Sequence, residues 1–194
     1  FGAEERFKSE ILRAAKENTT LGGRIEIIVN GLPAGIGGSL SYEKRLDAEI
    51  SSILMGLNSI KSCEIGLGDD FSYIWGYHQD ELYYDNEKKS VCHSKNDNGG
   101  ITGGVSNGEP LVVKLSAKPI PSQKKPLKSV NIISREHCYT FKERGDLCAV
   151  PSIAVVSQNL VAIVICRNIL NILPGNCMED VLDIWQKIKK EKYF

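Results

Sequence analysis

The distribution of apolar residues predicts an α+β fold. Arg24 to Asn30 alternates, with Ile25, Ile27 and Val29 on one side and Arg24, Glu26 and Asn30 on the other, as a half-buried strand does. Tyr42–Leu57 repeats its apolar residues at helical spacing, and Ser152–Leu170 is apolar on most sides. Strands and helices do not alternate strictly, and long loops separate some of them, which argues against a doubly wound sheet. At 194 residues and 21.4 kDa the chain fits one domain, 1–194, large enough to bury roughly 70% of its unfolded surface.

In chain order, residues 3–18 read as a helix with Phe7, Ile11 and Ala14 or Ala15 on one face, broken at Asn18-Thr19-Thr20. The strand at 24–30 runs into Gly31-Leu32-Pro33-Ala34-Gly35-Ile36-Gly37-Gly38. This glycine-studded turn lacks the Lys and Ser of a phosphate-cradling loop and the glycine spacing of a dinucleotide fingerprint. In the next helix Leu46, Ile50, Ile53, Leu54 and Leu57 share one side, and Asp47 suits the positive end of the helix dipole. Ser59–Gly68 reads as a strand. Asp69–Ser94 is polar and tyrosine-rich; its His78, Asp80 and Glu81 resemble metal ligands only loosely, and a solvated loop is the simpler reading.

Leu111–Ala117 is a short strand, and Gln123–Lys128, with three lysines and a proline, an extended exposed linker. Without interleaved aromatic residues those lysines do not suggest a nucleic-acid grip. The apolar run 152–170 is shorter than the ~20 clean residues a membrane span needs, so it is expected as a buried core helix. Pro174-Gly175-Asn176 stops it. The last amphipathic helix, with Met178, Val181, Leu182, Trp185 and Ile188 on one face, makes 171–194 a helical extension.

Lys+Arg and Asp+Glu are equal at 24 each, so no overall field favours nucleic acid or an acidic membrane. The six cysteines show no C-x-x-C pair or metal-ligand spacing, which suggests reduced thiols and a cytoplasmic setting. Phe1 is not a start methionine, so a trimmed or partial chain is expected, and no signal sequence is recognisable.

One stretch carries most of the chemistry. Asn96-Asp97-Asn98-Gly99-Gly100-Ile101-Thr102-Gly103-Gly104-Val105-Ser106-Asn107-Gly108 places five glycines within ten positions, then leads through the apolar run into Lys118-Pro119-Ile120-Pro121-Ser122. Glycine loses more backbone freedom on folding than any other residue, so such density suits positive φ or close approach to the main chain. A flexible surface loop is the plain alternative.

This stretch resembles chorismate synthase. So do, in order, Leu21-Gly22-Gly23, Gly31–Gly37, Arg45-Leu46-Asp47-Ala48-Glu49-Ile50, Asn58–Gly68 and Arg144-x-Asp146-x-Cys148. The resemblance covers the C-terminal half of that family; the N-terminal half, with its Gly-Glu-Ser-His-Gly motif, is not in this sequence. None of His78, His93 and His137 falls in a matching motif.

The family resemblance implies half of a β-α-β sandwich, an antiparallel sheet packed on helices. It implies a phosphate lyase of the shikimate pathway that converts 5-enolpyruvylshikimate 3-phosphate to chorismate by 1,4-anti elimination, requires reduced FMN and assembles as a homotetramer. By motif, Asn96, Gly99 and Gly100 would lie against the flavin, and Lys118 and Ser122 would hold its ring or phosphate region. Arg144 would contact the anionic substrate, and Asp146 would sit beside flavin N5. Gly145, Leu147, Ser152 and Gln158 depart from the residues usual at their positions. A non-catalytic domain of the same fold, serving as a binding or assembly module, is the alternative.

Overall fold

A computed structural model describes residues 2–87, 89–141, 145–175 and 177–190. Its elements are α1 (Gly2–Glu17), β1 (Gly23–Val29), α2 (Leu46–Met55), β2 (Ile60–Ile65), β3 (Leu82–Asp85), β4 (Ser90–His93), β5 (Ile101–Thr102), β6 (Val105–Ser106), β7 (Leu111–Ala117), β8 (Lys128–Val130), β9 (His137–Tyr139), α3 (Val150–Ile172) and α4 (Met178–Lys190). The architecture is α+β, as the apolar pattern predicts.

The core is a three-stranded antiparallel sheet in the order β1-β7-β2. Strand β7 buries every second residue (Leu111, Val113, Leu115, Ala117), and β1 adds Ile25 and Ile27 on the same face. Helix α2 covers that face with Leu46, Ile50 and Leu54, each fully buried and each contributing about 1.5–3 kcal/mol by leaving water. Helix α3 packs across α2 and β1 through Val161, Val164 and Ile165. Asn168, buried in α3, donates to Glu49 Oε2 at 3.0 Å, and Arg167 pairs with the same carboxylate at 2.6 Å. On the other face Glu26, Lys114 and Glu64 lie in register beside the apolar pair Ile28 and Val112.

The sheet register fixes two ends. Val29, Ile65 and Leu111 define one; Gly23, Ile60 and Ala117 define the other. Everything in the glycine-rich stretch hangs from the Leu111 end, and Lys118 to Ser122 continues from the Ala117 end.

Two expectations change. The helix read over 152–170 as a buried core element spans Val150–Ile172, long and apolar enough by length and composition to cross a membrane, and is buried on one side only. Val155, Val156, Ile163, Leu170 and Ile172 are exposed. Its all-round apolar composition carries no record of which side is covered. The stretch 69–94, expected as a solvated loop, holds the antiparallel hairpin β3–β4, and the linker expected over Gln123–Lys128 leads into a second one, β8–β9.

Candidate functional site

The glycine-rich stretch folds into a ribbon whose shape its own hydrogen bonds explain. Asn96 staples it: its Nδ2 donates to the Pro110 carbonyl at 2.7 Å, and its Oδ1 accepts from Gly100 N at 2.9 Å. Gly99 and Gly100 are buried with positive φ. A Cβ on Gly99 would stand 2.5 Å from Gly66 Cα, and one on Gly100 2.6 Å from the Pro110 oxygen. The close approach that demands glycine here is therefore backbone on backbone. Gly103 (φ 64°) and Gly104 (φ 91°) form the two-residue turn between β5 and β6, a conformation that needs positive φ twice.

The first glycine loop, 31–38, is the ribbon's partner. Ser106, buried, donates its hydroxyl to Pro33 O at 2.6 Å and accepts from Ile36 N at 2.8 Å. Gly35 N donates to Ser106 O, Ser106 N to Ile36 O, and Leu46 N, at the start of α2, to Gly104 O. Arg45 grips Asp47 with two hydrogen bonds, 2.6 and 3.1 Å, while Asp47 Oδ1 also accepts from Ala48 N. That carboxylate raises the Arg45 guanidinium further above its already high ordinary value. Sequence reasoning passed over Ser106 and the 31–38 loop as site elements, although both fall in glycine-rich segments that carry the family resemblance.

At the Ala117 end, four segments converge. Lys118 N donates to Ser59 O at 2.8 Å, Thr20 Oγ1 to Ile120 O at 2.6 Å, and Leu21 N to Leu147 O at 2.8 Å. A Cβ on Gly145 would lie 3.6 Å from the Ser122 oxygen, so Ser122 and the Asp146 segment are neighbours. Lys118 and Asp146 are both exposed, and neither side chain has a hydrogen bond or ion pair among the described residues. Beside them Glu17, Asn18, Lys124, Lys125 and Pro126 line a groove of about 550 Å³. The two lysines, expected as a solvated linker, are held there by Lys125 N donating to Asn18 O at 3.1 Å. Arg144 lies outside the described residues.

The predicted site is thus brought together in two groups. Lys118, Ser122 and the Asp146 segment lie at the Ala117 end, and Asn96, Gly99 and Gly100 sit at the Leu111 end. Val112, bonded to Gly99 O, is six residues from Lys118 along β7, about 20 Å at ~3.3 Å per residue.

Asp80 belongs to a third cluster. Its buried carboxylate accepts from His93 Nδ1 (3.1 Å), Ser94 Oγ (3.1 Å) and Lys95 N (2.7 Å), tying β4 to the turn before β3. The carboxylate is consumed in shaping the hairpin, and no group of three or more His, Cys, Asp or Glu able to hold a metal ion occurs among the described residues.

An antiparallel sheet covered on one face by helices, with a glycine ribbon at one end and Lys118 and Asp146, neither of them paired among the described residues, at the other, defines an α+β half-sandwich. The chorismate synthase family model matches residues 2–170, and the chain belongs to that family. Chorismate synthase of Geobacter sulfurreducens is 38% identical over 186 residues, spanning 92% of this chain and 47% of the relative. That of Alkaliphilus oremlandii is 41% identical over 180 residues, 92% and 46%. A crystal structure of chorismate synthase superposes with a TM-score of 0.78 at 29% identity, covering 98% of this chain and 49% of the other. The chain spans about half the length of the curated relatives it matches. Helix α4 lies beyond the family match.

Proposed function

We propose that this chain supplies one half of a chorismate synthase, a lyase that eliminates phosphate from 5-enolpyruvylshikimate 3-phosphate. The observation that carries the reading is that Lys118 and Ser122, from one family motif, and Asp146, from another, lie at the same end of the sheet, with neither charged side chain hydrogen-bonded or ion-paired among the described residues. An elimination of phosphate needs cationic groups where the leaving anion gathers charge and a base for the departing proton.

The donor set fits reduced FMN: an exposed ammonium, a hydroxyl and a carboxylate, next to a groove with two further lysines. Lys118 and Ser122 would hold the ring or phosphate region, and Asp146 would stand near the flavin N5. Asn96, Gly99 and Gly100 would act by fixing the ribbon that lies against the ring. Arg144, as a planar fork of donors, would grip the anionic substrate. When bound, reduced FMN supplies electron density to the reacting substrate without net oxidation. The protein's part is to hold the phosphate, position the ring and accept the proton.

The exposed surface supports an incomplete unit. A compact monomer of this mass exposes about 9,100 Å², whereas the chain exposes 13,761 Å², about 4,600 Å² more. The exposed apolar side of α3 is part of that excess, and a homotetramer of complete chains would cover it. The six free cysteines suit a reducing, cytoplasmic setting. The departures at Gly145 and Leu147, beside Asp146, favour the second reading, a non-catalytic binding or assembly module of the same fold.

Titration of oxidised and dithionite-reduced FMN into the chain, followed by flavin fluorescence, tests the first reading. Lys118→Ala and Asp146→Ala should each weaken binding at least tenfold, and in a chain extended to the full family length should abolish turnover. Unchanged affinity and turnover in both variants would leave the assembly module as the function.

A further inference from the structure

The short segment 18–23, which joins α1 to β1, touches both halves of the Ala117 end. Asn18, at φ 57°, closes α1 as a left-handed residue, and Thr19 N donates back to Ala14 O at 3.0 Å. The chain then runs antiparallel beside 117–125, the strap that carries Lys118 and Ser122, continuing from the β1–β7 pair Gly23 and Ala117. Three hydrogen bonds sew the two together. Lys125 N donates to Asn18 O (3.1 Å), Thr19 Oγ1 to Gln123 Oε1 (2.9 Å), and Thr20 Oγ1 to Ile120 O (2.6 Å). At Gly22 a Cβ would stand 2.3 Å from Ala117 O and 3.0 Å from Lys118 C, so main chain meets main chain there.

Ordinary strand pairing cannot hold the strap, because Pro119 and Pro121 have no N–H to give to a ladder. The peptide between them still presents the Ile120 carbonyl, midway between Lys118 and Ser122. Thr20, 8% exposed, meets that carbonyl with a side-chain hydroxyl in place of a backbone amide. On its other side the same segment holds the Asp146 stretch. Leu21 N donates to Leu147 O at 2.8 Å, within a parallel bridge between Leu21 and Cys148. A Cβ on Gly23 would stand 3.1 Å from Val150 Cγ2, at the start of α3. Segment 18–23 thus ties the strap to the stretch 146–150 and fixes how far apart they stand.

We propose that Thr20 is a positioning residue: its buried hydroxyl, acting through Ile120 O, sets where Lys118 and Ser122 stand relative to Asp146. For the flavin this rests on the reading proposed above. The Thr20 hydroxyl is spent on a carbonyl, so it works through the backbone of the strap and not by contact with a ligand. Valine at this position would keep the volume but strand the Ile120 carbonyl, and the strap would shift to find water or another donor. Serine would keep the donor and lose only a methyl group. A misplacement of about 1 Å in a binding constellation costs up to about 100-fold, so a small shift of the strap is enough to be read in affinity.

Thr20→Val, Thr20→Ser and, as a stability control, Val164→Ala in the buried side of α3 test the assignment. In the FMN titration Thr20→Val should weaken binding about tenfold, and Thr20→Ser should stay within about twofold of the wild type. Val164→Ala should lower the melting temperature at least as far as Thr20→Val does, with FMN affinity unchanged. Thr19→Val, which releases Gln123 at the next tie, should give a smaller loss in the same direction and serves if Thr20→Val does not fold. Hydrogen exchange on the flavin-free chain reads the geometry directly. Thr20→Val should speed exchange at Leu21 and Lys118, whose amides bond to Leu147 O and Ser59 O, and leave Val113 and Leu115 in β7 as they were. Unchanged FMN affinity in Thr20→Val, a loss that Val164→Ala reproduces, or an equal loss in Thr20→Ser would each overturn the assignment. A wild-type chain that binds no FMN would refute the flavin reading instead, and exchange then decides the positioning alone: unchanged rates overturn it, and faster rates restored by serine support it.

Discussion

Replacing Gly99 by alanine inserts one methyl group where the chain crosses itself. The new Cβ would lie 2.5 Å from Gly66 Cα and 3.0 Å from the Val112 oxygen, and φ at this position is 59°. The left-handed conformation alone costs an L-residue about 1–2 kcal/mol. Relief of the clash requires the 66 and 99 segments to part. That would break Gly66 N to Val112 O and Val112 N to Gly99 O, both 3.0 Å, at about 1 kcal/mol each and more if the groups stay buried unpaired. The sum is about 3–5 kcal/mol, a large share of the 5–15 kcal/mol that holds a domain. Gly103 is the control, with a similar φ of 64° and open space around a Cβ, so Gly103→Ala should cost only about 1–2 kcal/mol. Guanidinium unfolding of the flavin-free chain, followed by circular dichroism, gives both numbers. Equal losses in the two variants would refute the argument that Gly99 is required by backbone packing.

Ser106→Ala strands a part-buried carbonyl at Pro33 and a buried amide at Ile36, and should lower stability by about 1–3 kcal/mol, with faster hydrogen exchange at Ile36 as the local readout. Lys118→Ala removes an exposed, unpaired ammonium, so the melting temperature should hold within a degree or two while FMN affinity falls at least tenfold; a comparable loss of stability would point to a structural role. Burial pushes the Cys63 thiol up, the hydrogen bond to Ser51 opposes it and the Glu64 charge adds to it, so less thiolate is present at any given pH. In a timed iodoacetamide reaction read by mass spectrometry near pH 8, Cys63 should therefore label after the exposed Cys138, Cys166 and Cys177.

Legibility in the sequence follows burial. Strand β7 and the α2 stripe were readable because a covered face imposes its period on residue choice: Leu111, Val113, Leu115 and Ala117 go in, and Leu46, Ile50 and Leu54 recur. The β8–β9 hairpin was not, since no face of it is covered among the described residues and nothing writes a period of two into it. The ribbon was half legible. Its glycines announced a close approach, but composition cannot distinguish an incoming ring from the protein's own Gly66 and Pro110. The grouping of Lys118, Ser122 and Asp146 follows from family motifs, while their separation from Asn96 depends on strand order, which no local pattern encodes.

That strand order has a consequence for biosynthesis. Strand β7 sits between β1 and β2, yet it is made last of the three, after residue 110. A nascent chain emerging from the ribosome therefore holds β1 and β2 with no strand to join them until Ala117 has cleared the exit tunnel. Pairings of long sequence separation form slowly, so the sheet should close in one late cooperative step.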